Sequence, residues 1–230
     1  MLGFQIHKRD RTAPKGLIEK FRTVPVANIS DVMSRMTAGG ARLRPMHDGT
    51  PLVGSAITVK TRPGDNLMIH RAIDMAGAGD VIIVDGGGDL TNSLIGEMMS
   101  SYAESRGIAG FVLDGAIRDA AEIRAGSLPI YAVGVTHRGP YKDGPGEINC
   151  AIAIDGMVVK PGDIIVGDDD GVLSIPIELA DEIYRASVEK GEQEDRGRQA
   201  ISERRLNRNW VVDTLKARGC IFPDDDASLN

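Results

Sequence analysis

Arg118 and Asp119 stand side by side after the apolar run GFVLDGAI, and Glu97 precedes them by twenty intervening residues. These residue types suit one kind of chemistry. Arginine presents a rigid fork of donors to a carboxylate or a keto oxygen. Aspartate is a hard oxygen ligand that holds Mg²⁺ or Mn²⁺ while water and substrate fill the other positions. Glutamate acts as acid or base, directly or through a bound water. If Gly96, Glu97, Met98 and Met99 open a helix beside Arg118, the free N–H groups and positive dipole end add a seat for a carboxylate. Together these residues would bind a 2-keto acid against a divalent ion and stabilise the enolate formed next to it. The plainer reading is an acid that favours a helix start and pairs with its neighbour at the surface. Spacing alone leaves both open.

Flanking elements must place both turns. VIIVD (81–85), GFVLD (110–114) and LPIYAV (128–133) are continuous apolar runs, the pattern of strands buried on both faces. Helices expected over 93–106 and 118–125 separate them. The alternation implies parallel strands joined by crossovers, and in such sheets ligands sit outside the carboxyl ends of the strands. Upstream, the sequence predicts helices over 14–24 and 31–38, the second capped by Asn28 or Ser30 and stopped at Gly39-Gly40, then a strand over 52–60. Downstream, AIAID, MVVK, DIIVG and GVLSI are short β pieces separated by turn signals, as in an antiparallel or mixed layer. From Glu178 the chain is charge-rich and helical, with sparse apolar residues that would dock on a neighbouring subunit. The expected division is an α/β domain over 1–176 and a helical extension over 177–230.

A net charge of −6 and a pI near 5.3 argue against a nucleic-acid or anionic-membrane surface. No apolar segment reaches bilayer length. Cys150 and Cys220 fit no ligand spacing, which points to a reducing, cytoplasmic setting. In DGGGD (85–89), Gly86 and Gly88 fit a dinucleotide fingerprint, but Thr91 occupies its third glycine position, so a turn with positive φ is the favoured reading. His70 and Asp74, four residues apart, read as a buried histidine hydrogen-bonded to a carboxylate.

DGAIRD, with GDVIIVDGGGD (79–89), GEMM (96–99), RPGDN (62–66) and GPGEIN (144–149), resembles the family that joins class II pyruvate aldolases for 4-hydroxy-4-methyl-2-oxoglutarate to the RraA regulators of ribonuclease E. The likeness covers about residues 20–180. It implies a swivelling β/β/α-type fold of the α/β class, with parallel central strands, a second mixed β layer and a C-terminal helical tail, assembled as a homotrimer or hexamer. It also implies a metal-dependent lyase that releases pyruvate from 4-hydroxy-2-oxo acids and can decarboxylate oxaloacetate. The alternative within the family is a regulator that binds a protein without catalysis. Carried over residue by residue, the resemblance makes Asp119 the ligand of Mg²⁺, Mn²⁺ or another divalent metal, and Arg118 the contact to the pyruvate moiety. The amides of Met98 and Met99, beside Gly96, would receive the pyruvate carboxylate. Glu97 stands where the aldolases have an aspartate. The aldolases also borrow a glutamate from a neighbouring subunit, for which Glu192 and Glu194 are candidates by position.

Overall fold

All eight residues of the segment Gly110–Ile117 are buried, because this strand lies between two parallel neighbours and under cover on both faces. The computed structural model describes residues 3–37 and 39–223. In chain order the elements are β1 (Phe4–Ile6), α1 (Lys15–Lys20), α2 (Val26–Val32), β2 (Arg44–Pro45), β3 (Leu52–Thr61), α3 (Leu67–Met75), β4 (Asp80–Ile95), α4 (Glu97–Ser105), β5 (Gly110–Ile117), α5 (Ala120–Ala125) and β6 (Ile130–Val135). There follow β7 (Gly146–Ile148), β8 (Ile152–Ile154), β9 (Met157–Val159), β10 (Ile164–Asp168), β11 (Gly171–Ile175), α6 (Ala180–Ser202) and α7 (Asn209–Ala217). The chain divides into two compact units, Met1–Val188 and Glu189–Asn230.

The main sheet runs β1-β7-β3-β4-β5-β6-β2, and its centre, β3 to β6, is parallel as the alternation requires. The outer edge of β3 is shared: Leu52–Ser55 pair with β10, and Val59–Thr61 pair with β7. One sheet face packs against α3, α4 and α5 through Ile69, Ile73, Ala103 and Ile123. On the other face, the β8–β9 hairpin supplies Ile152, Ile154, Met157 and Val159 against Val81, Ile83 and Val112. A third cluster joins α1, α2 and the start of α6 to β10 and β11. Of the four downstream β pieces, two therefore form a separate hairpin and two join the main sheet. The α/β architecture with parallel central strands, a β layer and C-terminal helices is the expected one.

Two helix boundaries differ from the sequence expectation. The helix placed over 31–38 is Val26–Val32, so Asn28 and Ser30 lie inside it and Pro25 precedes it. Proline fixes φ ahead of the first turn, and that outweighs the side-chain caps. The second concerns β4, which does not end at Asp85. It passes through Gly87 and Gly88, at φ of 68° and 67°, and resumes to Ile95 with shifted register on β5. A Cβ on Gly86 would sit 2.8 Å from the Asp114 carbonyl oxygen, so glycine is needed for close approach. Ser93, Leu94 and Ile95 are buried against the sheet. That burial keeps them extended, and the helix expected from 93 begins at Glu97.

Candidate active site

The register Ile95↔Ile117 sets the end of β4 beside the end of β5. The Arg118 N–H extends the ladder by donating to the Ile95 carbonyl at 3.0 Å. Gly96–Glu97 and Arg118–Asp119 are thereby neighbours, one pair opening α4 and the other opening α5. Asp119 takes left-handed backbone angles, φ 54° and ψ 43°, which aspartate tolerates better than bulkier residues. Its Oδ2 accepts the Glu97 N–H at 3.0 Å and lies 3.6 Å from Arg118 Nε. Asp119 Oδ1 has no hydrogen-bond partner among the described residues. Gly96 permits this meeting: a Cβ there would stand 2.4 Å from Asp119 Oδ2 and 2.9 Å from Arg118 Cγ.

Next to this corner is a cavity of about 280 Å³ lined by Asn66, His70, Ile95, Gly96, Met98, Met99, Arg118, Gly139, Pro140 and Lys142. Arg118, Gly96, Met98 and Met99 are thus brought together. Asp119 is not among the lining residues; its carboxylate lies behind Gly96. At the start of α4, the Met98 N–H has no partner among the described residues, while the Met99 N–H already donates to the Gly96 carbonyl at 3.2 Å. The Met98 side chain is exposed and the Met99 sulfur lies 3.2 Å from Asn66 Nδ2. The Glu97 carboxylate is placed elsewhere. It accepts the Ser101 hydroxyl at 2.8 Å and lines a separate groove of about 290 Å³ with Ser100, Glu104 and Glu122. Glu192 and Glu194 lie on the part of α6 in the second unit, where Glu194 sits 3.7 Å from both Lys190 and Arg198.

The cavity wall is cationic. Lys142 has no ion-pair partner among the described residues, and no carboxylate lines the space. His70 is exposed on that wall, contrary to the buried pair read from its spacing with Asp74. No hydrogen bond joins the two, and Asp74 instead accepts the Tyr102 hydroxyl at 3.4 Å. The i, i+4 spacing placed both on the exposed side of α3, where only His70 lines the cavity. Partial burial lowers the His70 pKa below its ordinary value, and the Lys142 charge adds to this against the opposing pull of Asp74. Asn66 is buried, with Nδ2 donating to the Leu94 carbonyl at 3.0 Å and Oδ1 without a donor. Asn66 and the loop residues Gly139, Pro140 and Lys142 are cavity residues that spacing arguments missed, and His70 was read from its spacing as buried. The signal for Asn66 was that RPGDN belongs to the same motif set as DGAIRD; Gly139, Pro140 and Lys142 lie just before GPGEIN of that set.

Among the described residues, no three His, Cys, Asp or Glu side chains are gathered to hold a metal. A closed, all-protein metal cage is therefore not built here. A Mg²⁺-type ion needs less, since it keeps most of its waters and takes one or two carboxylates plus substrate oxygens. The free Oδ1 of Asp119 supplies one such carboxylate, outside the cavity lining.

Comparison with known proteins bears on the family and the fold. A family model described as RraA-like: Aldolase/RraA matches residues 26–174. A Halalkalibacterium halodurans protein, provisionally named 4-hydroxy-4-methyl-2-oxoglutarate aldolase, is 38% identical over 186 residues, covering 81% of this chain and 89% of its own. The 4-hydroxy-4-methyl-2-oxoglutarate aldolase of Thermus thermophilus is 36% identical over 49% of this chain and 68% of its own. Among solved structures, the RNA-processing inhibitor RraA from Thermus thermophilus superposes with a TM-score of 0.62 at 30% identity, covering 66% of this chain and 92% of its own. Among the described residues, no helix is long and apolar enough to cross a membrane. The chain belongs to the RraA-like Aldolase/RraA family.

Proposed function

We propose that the protein is a divalent-metal-dependent lyase that cleaves 4-hydroxy-2-oxo acids, such as 4-hydroxy-4-methyl-2-oxoglutarate, to pyruvate and a second keto acid. The observation that carries this reading is the corner itself: Arg118 and the unpaired Met98 N–H at a cavity with cationic walls, and Asp119, with a free carboxylate oxygen, behind Gly96 of that wall.

Asp119 Oδ1 would hold Mg²⁺ or Mn²⁺, which when bound acts as a Lewis acid toward the 2-keto oxygen. The Met98 N–H and the positive end of α4 receive the substrate carboxylate. Arg118 donates to the keto oxygen and follows it as negative charge develops there. In the cleavage the C4 hydroxyl loses its proton, the C3–C4 bond breaks, and its electron pair enters the pyruvate enolate. His70, whose pKa partial desolvation and the Lys142 charge lower, is the proton acceptor at the cavity wall. The proton is returned to C3 of the enolate through water. Loss of CO₂ from oxaloacetate passes through the same enolate, so it is the expected side reaction. Glu97, bonded to Ser101 and lining a separate groove, is given no step in this reading.

The test is pyruvate release from 4-hydroxy-4-methyl-2-oxoglutarate and from oxaloacetate, with Mg²⁺ or Mn²⁺ and after chelation. Turnover that needs the ion and disappears in Asp119→Ala supports the lyase. Undiminished turnover in Asp119→Ala, or none in the wild type, overturns it. The likeness to an RNA-processing inhibitor favours a second reading, a protein-binding regulator. Binding to a ribonuclease by an inactive wild-type protein would support it.

A further inference from the structure

We propose that Asp65 is a positioning residue for the cavity: one buried carboxylate fixes the two wall segments that carry His70 and Lys142. Asp65 is fully buried. Its Oδ1 accepts the Leu67 N–H at 2.9 Å, at the start of α3, the helix that carries His70. Its Oδ2 accepts the N–H of Asp143 at 2.8 Å and of Gly144 at 2.9 Å, and Arg62 Nη2 at 3.0 Å. Asp143 directly follows Lys142. Four donors from two segments far apart in sequence thus converge on two oxygens.

The main chain repeats the stitch beside it. The Asn66 N–H donates to the Tyr141 carbonyl at 3.0 Å, and the Tyr141 N–H donates to the Gly64 carbonyl at 2.8 Å. At the loop's other end, Ser93 donates to the Arg138 carbonyl from both N–H and Oγ at 2.9 Å. The segment 141–143 is itself exposed, with no apolar core of its own to order it. Its placement rests on these bonds. An ionised carboxylate is acceptor-only and can satisfy all four donors, whereas an amide of the same shape turns an NH₂ group toward either the single donor on Oδ1 or the three on Oδ2. Asp65→Asn should therefore release one segment while leaving the volume unchanged.

The catalytic arm rests on the reading proposed above, and the other arms do not. In the wild type, the Asp143 and Gly144 amides should be strongly protected from hydrogen exchange although their loop is exposed. Exchange at unprotected rates overturns the proposal, whether or not any variant folds. In Asp65→Asn, KM for oxaloacetate should rise about tenfold with kcat within about threefold, as expected when a binding wall is displaced. In a Lys142→Ala background the same change should alter KM by less than about twofold, because Asp65 acts through the segment that holds Lys142. An equal rise in both backgrounds, or kcat and kcat/KM falling together, overturns it. If the wild type turns over neither acid, the lyase fails but this assignment is still read from binding of oxalate. Asp65→Asn should then weaken the oxalate Kd in the wild type and not beside Lys142→Ala; an unchanged Kd, or no oxalate binding by the wild type, overturns it.

Discussion

The Oδ2 of Asp119 accepts the Glu97 backbone N–H at 3.0 Å, so the residue proposed to hold the metal also caps the first turn of the neighbouring helix. The two roles separate by substitution. Asp119→Ala removes the cap and the ligand, and should lower stability by about 1 kcal/mol. Asp119→Asn keeps a carbonyl oxygen for the cap and tolerates the left-handed backbone, so it should lose less than half of that. Both should lose metal-dependent pyruvate release by more than about a hundredfold. Thermal unfolding beside the activity assay distinguishes cap from ligand; Asp119→Asn with full activity would refute the ligand role.

Gly96→Ala tests the close approach from the other side. Its Cβ would meet Asp119 Oδ2 at 2.4 Å and Arg118 Cγ and Nε at 2.9 Å. Overpacking of this kind costs about 1–3 kcal/mol, or moves the side chains that are met. Because Asp119 and Arg118 lie near the surface, they should move first. The expected result is a small change in melting temperature with a large loss of turnover. The reverse pattern would mean that the corner is structural.

Much of this corner was legible before any coordinates. The apolar runs 81–85 and 110–114 and the spacing from Glu97 to Arg118 put both turns at the same end of a parallel sheet, where β4 and β5 indeed place them. Three things were not legible. Glycines at 87 and 88 read as the end of a strand, but non-local burial of Ser93–Ile95 carried the strand onward. Glu97 has the right position but not the right direction, because Ser101, four residues on, offers its carboxylate a local partner. The Gly/Pro loop with Lys142 has no periodicity to read, and its place is set by Asp65 from a segment about eighty residues earlier.

Asp163 makes a stability prediction away from the site. It is 3% exposed, with Oδ1 lacking a hydrogen bond and Oδ2 accepting the Lys160 N–H at 2.9 Å. Burial raises its pKa above the ordinary 3.8, and the N–H groups of Lys160 and Ile177 and the Arg11 charge only partly oppose this. A raised folded pKa means that the folded state binds the proton more tightly. Its stabilising effect is complete below 3.8 and is lost as pH rises through the folded value. Asp163→Asn should flatten the pH dependence of the urea midpoint just above pH 3.8, making the variant at least as stable as wild type at pH 7. A wild-type midpoint that rises with pH across this window, on account of Asp163, would contradict the argument.

His70 gives the activity profile a predicted direction. If it accepts the C4 hydroxyl proton, kcat/KM falls on the acid side as the ring becomes protonated, with a midpoint below the ordinary 6.5 because burial and the Lys142 charge disfavour the imidazolium. The neighbours should move that limb in opposite directions. Removing the cation in Lys142→Ala raises the His70 pKa and shifts the limb to higher pH. Removing the anion in Asp74→Asn lowers it and shifts the limb to lower pH. His70→Gln should abolish the limb and reduce kcat by about 10²–10⁴-fold, the usual contribution of a general base. A limb that stays in place through all three variants belongs to another group, and His70 is then not the proton acceptor.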